Sequence, residues 1–180
     1  MNTVSPSNFY LQENGTIPNN PALPVVVYRK VFSEQTADKH KQLQHCFEQS
    51  GWKGIWKNGL YDYHHFHSAS HEVLGIASGT AEVELGGDRG KTLVLEAGDV
   101  IVLPAGTGHR RMSASDNLVV IGAYPPGQED YDVCRSKADH HKRDRSGDIA
   151  GTIAAVPLPQ SDPVYGASGP LLELWSARSN

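Results

Sequence analysis

The chain is poor in sulfur, with two cysteines, Cys46 and Cys134, and two methionines among 180 residues. A disulfide framework normally uses more cysteines, and no CxxC pair is present, so both are expected as ordinary reduced thiols. No run approaches the roughly 18 apolar residues that a membrane span needs. The opening MNTVSPSNFYLQENG has no cationic stretch followed by an apolar one, so no secretory leader is expected, and the expected compartment is cytoplasmic. A surplus of positive charge is lacking too. Sixteen Lys and Arg against twenty Asp and Glu give no field to draw phosphate backbones, so nucleic acid is not the expected partner. No segment has a helix-turn-helix pattern, and no repeat of 20 to 50 residues recurs. What remains is an ordinary globular complement, 38% hydrophobic, at a length that suits one buried core with extensions.

Three stretches differ in texture. Residues 1–51 read as an arm, a strand and a helix: an Asn, Pro and Ser-rich start ends in PALP, then Val25 to Phe32 supply β-branched and aromatic residues. Ser33 and Glu34 look like a helix start, and Ala37, His40, Leu43 and Phe47 recur at helical spacing until Gly51. Residues 52–125 carry short runs broken by Gly-rich turns, the pattern of an antiparallel sandwich or barrel. The runs are YDYHHFH (61–67), HEVLGIA (71–77), TAEVEL (80–85), KTLVLE (91–96), DVIVLP (99–104), HRRMSA (109–114) and LVVIGAY (118–124). Residues 126–180 form an extension. Its basic stretch 135–145 reads as a solvated face, and its LLELW is apolar enough to pack back on the barrel.

Four of the nine histidines stand between positions 64 and 71, with Glu72 directly behind. In an extended segment, side chains at i and i+2 share a face, so Tyr61, Tyr63, His65 and His67 point one way and His64 the other. The SAS at 68–70 reads as a turn that brings Glu72 back beside the pair. A helical HExxH zinc site fails because Gly75 stands four residues after His71. A His–Glu pair acting as a base without metal stays open. Three neutral imidazoles and a carboxylate around a divalent ion are equally ordinary chemistry, given a third nitrogen. PAGTGHR (104–110) offers one, His109, at the start of a strand.

These two stretches resemble the paired motifs of the cupin superfamily. G(x5)HxH(x4)E(x6)G is met by Gly59, His65, His67, Glu72 and Gly79, and G(x5)PxG(x2)H(x3)N by Gly98, Pro104, Gly106 and His109, with Ser113 in place of the final Asn. More loosely, PALPVVVY, HHFHSASHEVLG and SDPVYG resemble the small YjlB-like cupins. The resemblance implies an all-β double-stranded β-helix, a jelly-roll barrel with an N-terminal arm, one or two flanking helices and a C-terminal extension. It further implies one divalent ion (Fe, Mn, Ni, Co, Cu or Zn) held by His65, His67, Glu72 and His109, with His71 and His64 as the nearest substitutes.

Four protein ligands on an octahedral ion leave two adjacent positions for a small molecule or dioxygen. The expected function is therefore a metal-dependent oxidoreductase of dioxygenase type, acting on a small polar or acidic molecule. A Lewis-acid isomerase or lyase and a non-catalytic ligand-binding cupin are the alternatives. Tyr61, Tyr63 and Arg111 are pocket candidates, Arg111 as a clamp for a substrate carboxylate. Trp56, Tyr124 and Tyr131 are candidates for the rim. An extended arm that can pair with a neighbour's sheet edge predicts a homodimer.

Overall fold

A computed structural model describes residues 1–141 and 148–176. Nine strands carry the fold: β1 (Ser7–Phe9), β2 (Val25–Tyr28), β3 (Lys53–Asn58), β4 (Glu72–Ser78), β5 (Thr80–Leu85), β6 (Lys91–Glu96), β7 (Val100–Leu103), β8 (His109–Ala114) and β9 (Val119–Tyr124). Helix α1 (Lys39–Gln49) lies between β2 and β3, and α2 (Lys137–His141), α3 (Ile149–Ala154) and α4 (Pro170–Ser176) follow the last strand. Six strands form one sheet in the order β1-β2-β7-β4-β9-β3, and three form a second in the order β6-β5-β8.

The sheet order explains why VVVY and VIVL are apolar without alternation. Both faces of the large sheet are covered, so alternate residues enter different cores. Val25, Val27, Leu74, Ile76, Ile101, Leu103 and Val120 pack inward against Ala81, Val83, Leu85 and Leu95 of the small sheet. Val26, Tyr28, Val73, Val100, Val102, Ile121 and Ala123 face outward, where Leu43 and Phe47 of α1 and Leu171 and Trp175 of α4 cover them. Leu43 and Phe47 are fully buried, each worth roughly 1.5–3 kcal/mol relative to exposure. The helix approaches β4 so closely that a Cβ on Gly75 would lie 2.7 Å from Leu43 Cδ2. Leu171 and Trp175 of LLELW belong to this outer core.

Several local expectations are corrected. YDYHHFH is not a strand; it holds two isolated bridges, His65 with His109 and Phe66 with Cys134. A strand absent from the sequence reading, β3, precedes it and pairs with β9. The helix starts at Lys39 instead of Ser33, because Ser33 closes a turn with Thr36 and Asp38 adopts a left-handed backbone, φ 48°. The strand begun at Val25 stops at Tyr28, before Lys30 with φ 52°. Helices number four among the described residues, beyond the one or two anticipated. The basic stretch lies partly outside the described residues, at 142–145. Both cysteines are free, and no described helix is long and apolar enough to cross a membrane.

Candidate metal centre

His65 and His67 hang from the irregular segment ahead of β4, Glu72 opens β4, and His109 opens β8. Backbone bonds lock these pieces together: His65 N–H donates to His109 O at 3.2 Å, His109 N–H to His65 O at 2.9 Å, and Gly106 N–H to His67 O at 2.8 Å. The arm pins the same loop. Asn19 Oδ1 accepts from Gly108 N–H at 3.1 Å, and Asn20 Nδ2 donates to Ala105 O at 3.2 Å.

Ligand nitrogens of His65, His67 and His109 lie within 4.8 Å of one another. Glu72 joins them, its Oε2 3.4 Å from His67 Nε2 and 3.5 Å from His109 Nε2. All four residues are nearly inaccessible to solvent. Each imidazole gives its Nδ1–H to a backbone carbonyl: His65 to Tyr63 O at 3.3 Å, His109 to Thr107 O at 3.0 Å, and His67 to Asp132 O. That fixes the tautomer and leaves each Nε2 lone pair free, the arrangement metal-bound imidazoles adopt. Tyr124 O–H donates to Glu72 Oε1 at 3.0 Å, while the buried Glu72 Oε2 has no hydrogen-bond partner.

The donor set fits a divalent ion. Ligands at about 2.1 Å from one cation stand roughly 3.0–4.2 Å apart, the range of the Glu72 contacts. Glu72 Oε2, buried and without a hydrogen-bond partner, is a polar atom that a bound cation would satisfy. Electrostatics agree with this. Burial, reinforced by His109 and His67, pushes His65 down to about 2, so it stays neutral. Burial likewise lowers His109. At His67 burial acts downward, but the Glu72 carboxylate outweighs it and the pKa rises. Burial would raise Glu72, yet His67, His109 and the Tyr124 hydroxyl hold it below the usual carboxylate range.

Above these donors opens a cavity of about 240 Å³, whose walls include Trp56, Leu60, Tyr61, Leu74, Tyr124 and Tyr131. Trp56 Nε1–H donates to Tyr124 Oη at 2.9 Å, so an indole orients the phenol that holds Glu72. The indole lies where a Cβ on Gly122 would come within 2.1 Å of its Cε2.

The other candidates sit elsewhere. His71 faces away, buried against Trp175 at 4.7 Å between ring centroids, with Nδ1 accepting from Ala105 N–H at 2.9 Å. His71 immediately precedes Glu72, and consecutive side chains of extended backbone leave opposite faces, which sends the two apart. His64 turns outward to Glu84, Nε2 to Oε2 3.2 Å, beside Arg110, whose Nη2 lies 2.6 Å from the same oxygen. Arg111 shares the inward face, opposite Val83, but stands about 7 Å farther along β8 than His109 and does not line the cavity. Tyr63 does not line it either; it backs Tyr61 with rings 4.9 Å apart and carries Arg135 at 3.9 Å on its ring. Asp132 went unnoticed in the sequence. Fully buried, it accepts from Ser68 N–H at 2.7 Å and Ser68 Oγ–H at 2.6 Å, which aligns its carbonyl with His67.

Fold and donors together define a single-barrel protein with a candidate three-histidine, one-carboxylate metal centre. The family profile described as "Cupin domain" matches residues 54–121. An uncharacterized protein, YjlB of Bacillus subtilis strain 168, is 34% identical over 167 residues, 93% of this chain and 94% of that one. The chain belongs to the cupin family, and its barrel is the double-stranded β-helix. Among solved structures it is similar to an acireductone dioxygenase from Bacillus anthracis with cadmium in its active centre, at 23% identity, TM-score 0.35, covering 47% of this chain and 57% of that one. It is also similar to an uncharacterized double-stranded β-helix protein from Klebsiella pneumoniae, at 16% identity, TM-score 0.36, covering 72% and 84%. Similarities of this size say nothing about a reaction.

Proposed function

We propose that this cupin is a metal-dependent enzyme acting on a small molecule, of oxidoreductase, dioxygenase-like type. The observation that carries it is the set of three Nε2 lone pairs and the orphaned Glu72 Oε2, buried together at the floor of a cavity open on one side. A divalent ion held by His65, His67, Glu72 and His109 would supply Lewis acidity toward substrate oxygens and, if redox-active, activation of dioxygen. The rest belongs to the chain. Tyr124, its phenol pKa raised by burial and by Glu72 beside it, keeps its proton and donates a hydrogen bond to Glu72 Oε1, which leaves Oε2 directed at the centre. The aromatic walls exclude water and orient the ligand.

A Lewis-acid isomerase or lyase ranks second, for a reason on the cavity wall. Such chemistry needs a base near the substrate. Among the described lining residues, every imidazole and the carboxylate belong to the donor set. Lys57 contributes to the wall, but alternation along β3 places its side chain on the face of Ile55, opposite Trp56. A non-catalytic ligand-binding role ranks third.

An oxygen electrode tests the reading. Protein loaded with Fe(II) and offered a panel of small hydroxy acids and ring compounds is expected to consume oxygen with at least one, and Zn(II)-loaded protein with none. Turnover by Zn(II)-loaded protein without oxygen would transfer the assignment to the isomerase or lyase class.

A further inference from the structure

The cavity wall carries a second message, about charge and shape. Among the described residues lining it, the charged side chains are Glu72 at the floor and Lys57, which lies on the far face of β3. A divalent cation and one carboxylate leave a single positive charge there. A phosphate dianion or a polycarboxylate would bring two or more negative charges into a site with no arginine or lysine to meet them. The carboxylate clamp looked for at Arg111 is absent from the wall.

Shape is set by two tyrosines. Tyr61 is 51% exposed and Tyr131 38% exposed, although both rings border the donors: Tyr61 stands edge-on to His65 at 5.0 Å, and Tyr131 edge-on to His67 at 5.0 Å. Each is the outer member of a stack. Arg135 covers Tyr63 at 3.9 Å, and Tyr63 covers Tyr61 at 4.9 Å with planes 22° apart. On the other side Tyr124 covers Tyr131 at 4.4 Å, again with planes 22° apart. Backed rings are held rigid, and an exposed face of a rigid stack favours one more flat ring over a saturated body of equal size.

We propose that the cavity selects a planar, ring-bearing monoanion or neutral molecule, held beside the donors by Tyr61 and Tyr131, and rejects sugar phosphates and polycarboxylates. This inference rests on the metal-centre reading for the ligand's oxygen contacts and on the two stacks for its ring.

The test uses the full chain loaded with Co(II) and titrated calorimetrically. Salicylate, a flat monoanion, is compared with 2-hydroxycyclohexane-1-carboxylate, its saturated counterpart, and with citrate and glucose 6-phosphate as polyanions. The expected result is at least tenfold tighter binding of salicylate than of each other probe. Tyr61→Leu and Tyr131→Leu are each expected to erase most of that preference with Co(II) content unchanged, while Tyr61→Phe keeps it. Equal affinity for the flat and saturated acids, tighter binding of citrate or the sugar phosphate, or a preference that survives both leucine variants would overturn the proposal. A chain that takes up no Co(II) contradicts the metal reading alone. The same titration on metal-free protein then decides this one, a tenfold salicylate preference supporting it and equal affinities refuting it.

Discussion

At the scale of single residues, the four donors depend on partners that hold them at the right angle. Asp132 is the most exacting of these, because its carboxylate anchors Ser68 while its own carbonyl receives the His67 proton. Asp132→Ala removes the carboxylate that accepts from Ser68 N–H and Oγ–H and so loosens the backbone carbonyl that holds the His67 ring. Expected consequences are a stability loss of roughly 2–4 kcal/mol in urea unfolding and metal affinity weakened about 10–100-fold, read by competition with a chelator. An unchanged affinity would show that His67 needs no such alignment. Tyr124→Phe removes the bond to Glu72 Oε1 and is expected to weaken metal affinity by a smaller factor in the same assay. The four donors were legible through the resemblance of their two stretches to the paired cupin motifs, which groups His65, His67, Glu72 and His109; spacing and residue type alone left a metal-free His–Glu pair open. Asp132 was not, because nothing in PPGQEDYDV distinguishes a buried acid from its exposed neighbours. Arg111 misled for a related reason: parity gives the face a side chain leaves from, not how far along the strand it lies.

Among the elements, the barrel strands β4 to β9 followed their apolar runs and Gly-rich turns closely, and three of them, β5, β6 and β8, match the read ranges residue for residue. β3 escaped because KGIWKN has two apolar residues, charged neighbours and a glycine at φ +60°, which hide an edge strand. YDYHHFH misled in the opposite sense, having a strand's composition but bonds given to His109 and Cys134 one at a time. β3 matters to the site because Trp56 reaches across Gly122 of β9 to Tyr124. Gly122→Ala puts a methyl into the space of that indole. A loss of roughly 1–3 kcal/mol is expected, seen as a lower urea midpoint with unchanged slope, together with reduced metal retention. A variant as stable as the parent, with full retention, would mean that the indole moves aside freely.

For the whole molecule, arm, barrel and extension share one outer core, so acid should act on all of them at once. His71 sits in that core with its pKa pushed down by burial to about 3, against an ordinary value near 6.5. The native form is neutral there, and the unfolded chain takes up the proton. Stability from this group is complete above about pH 6.5 and is lost as the pH falls toward 3, by at most about 1.4 kcal/mol per unit. His65, held at about 2, adds in the same direction. Urea unfolding of metal-free protein at pH 7 and pH 5 is expected to show the loss, and His71→Leu to shrink the difference between the two, whatever it does to stability at pH 7. A difference unaltered by that variant would show that His71 is not buried neutral. The arm that suggested a homodimer places β1 against β2 of its own chain, so a dimer remains a proposal. The central claim is tested most directly by metal analysis of the purified chain beside Glu72→Gln. The account predicts one divalent ion per parent chain and a marked loss in the variant; a parent chain that holds no metal and takes up neither Co(II) nor Zn(II) would contradict it.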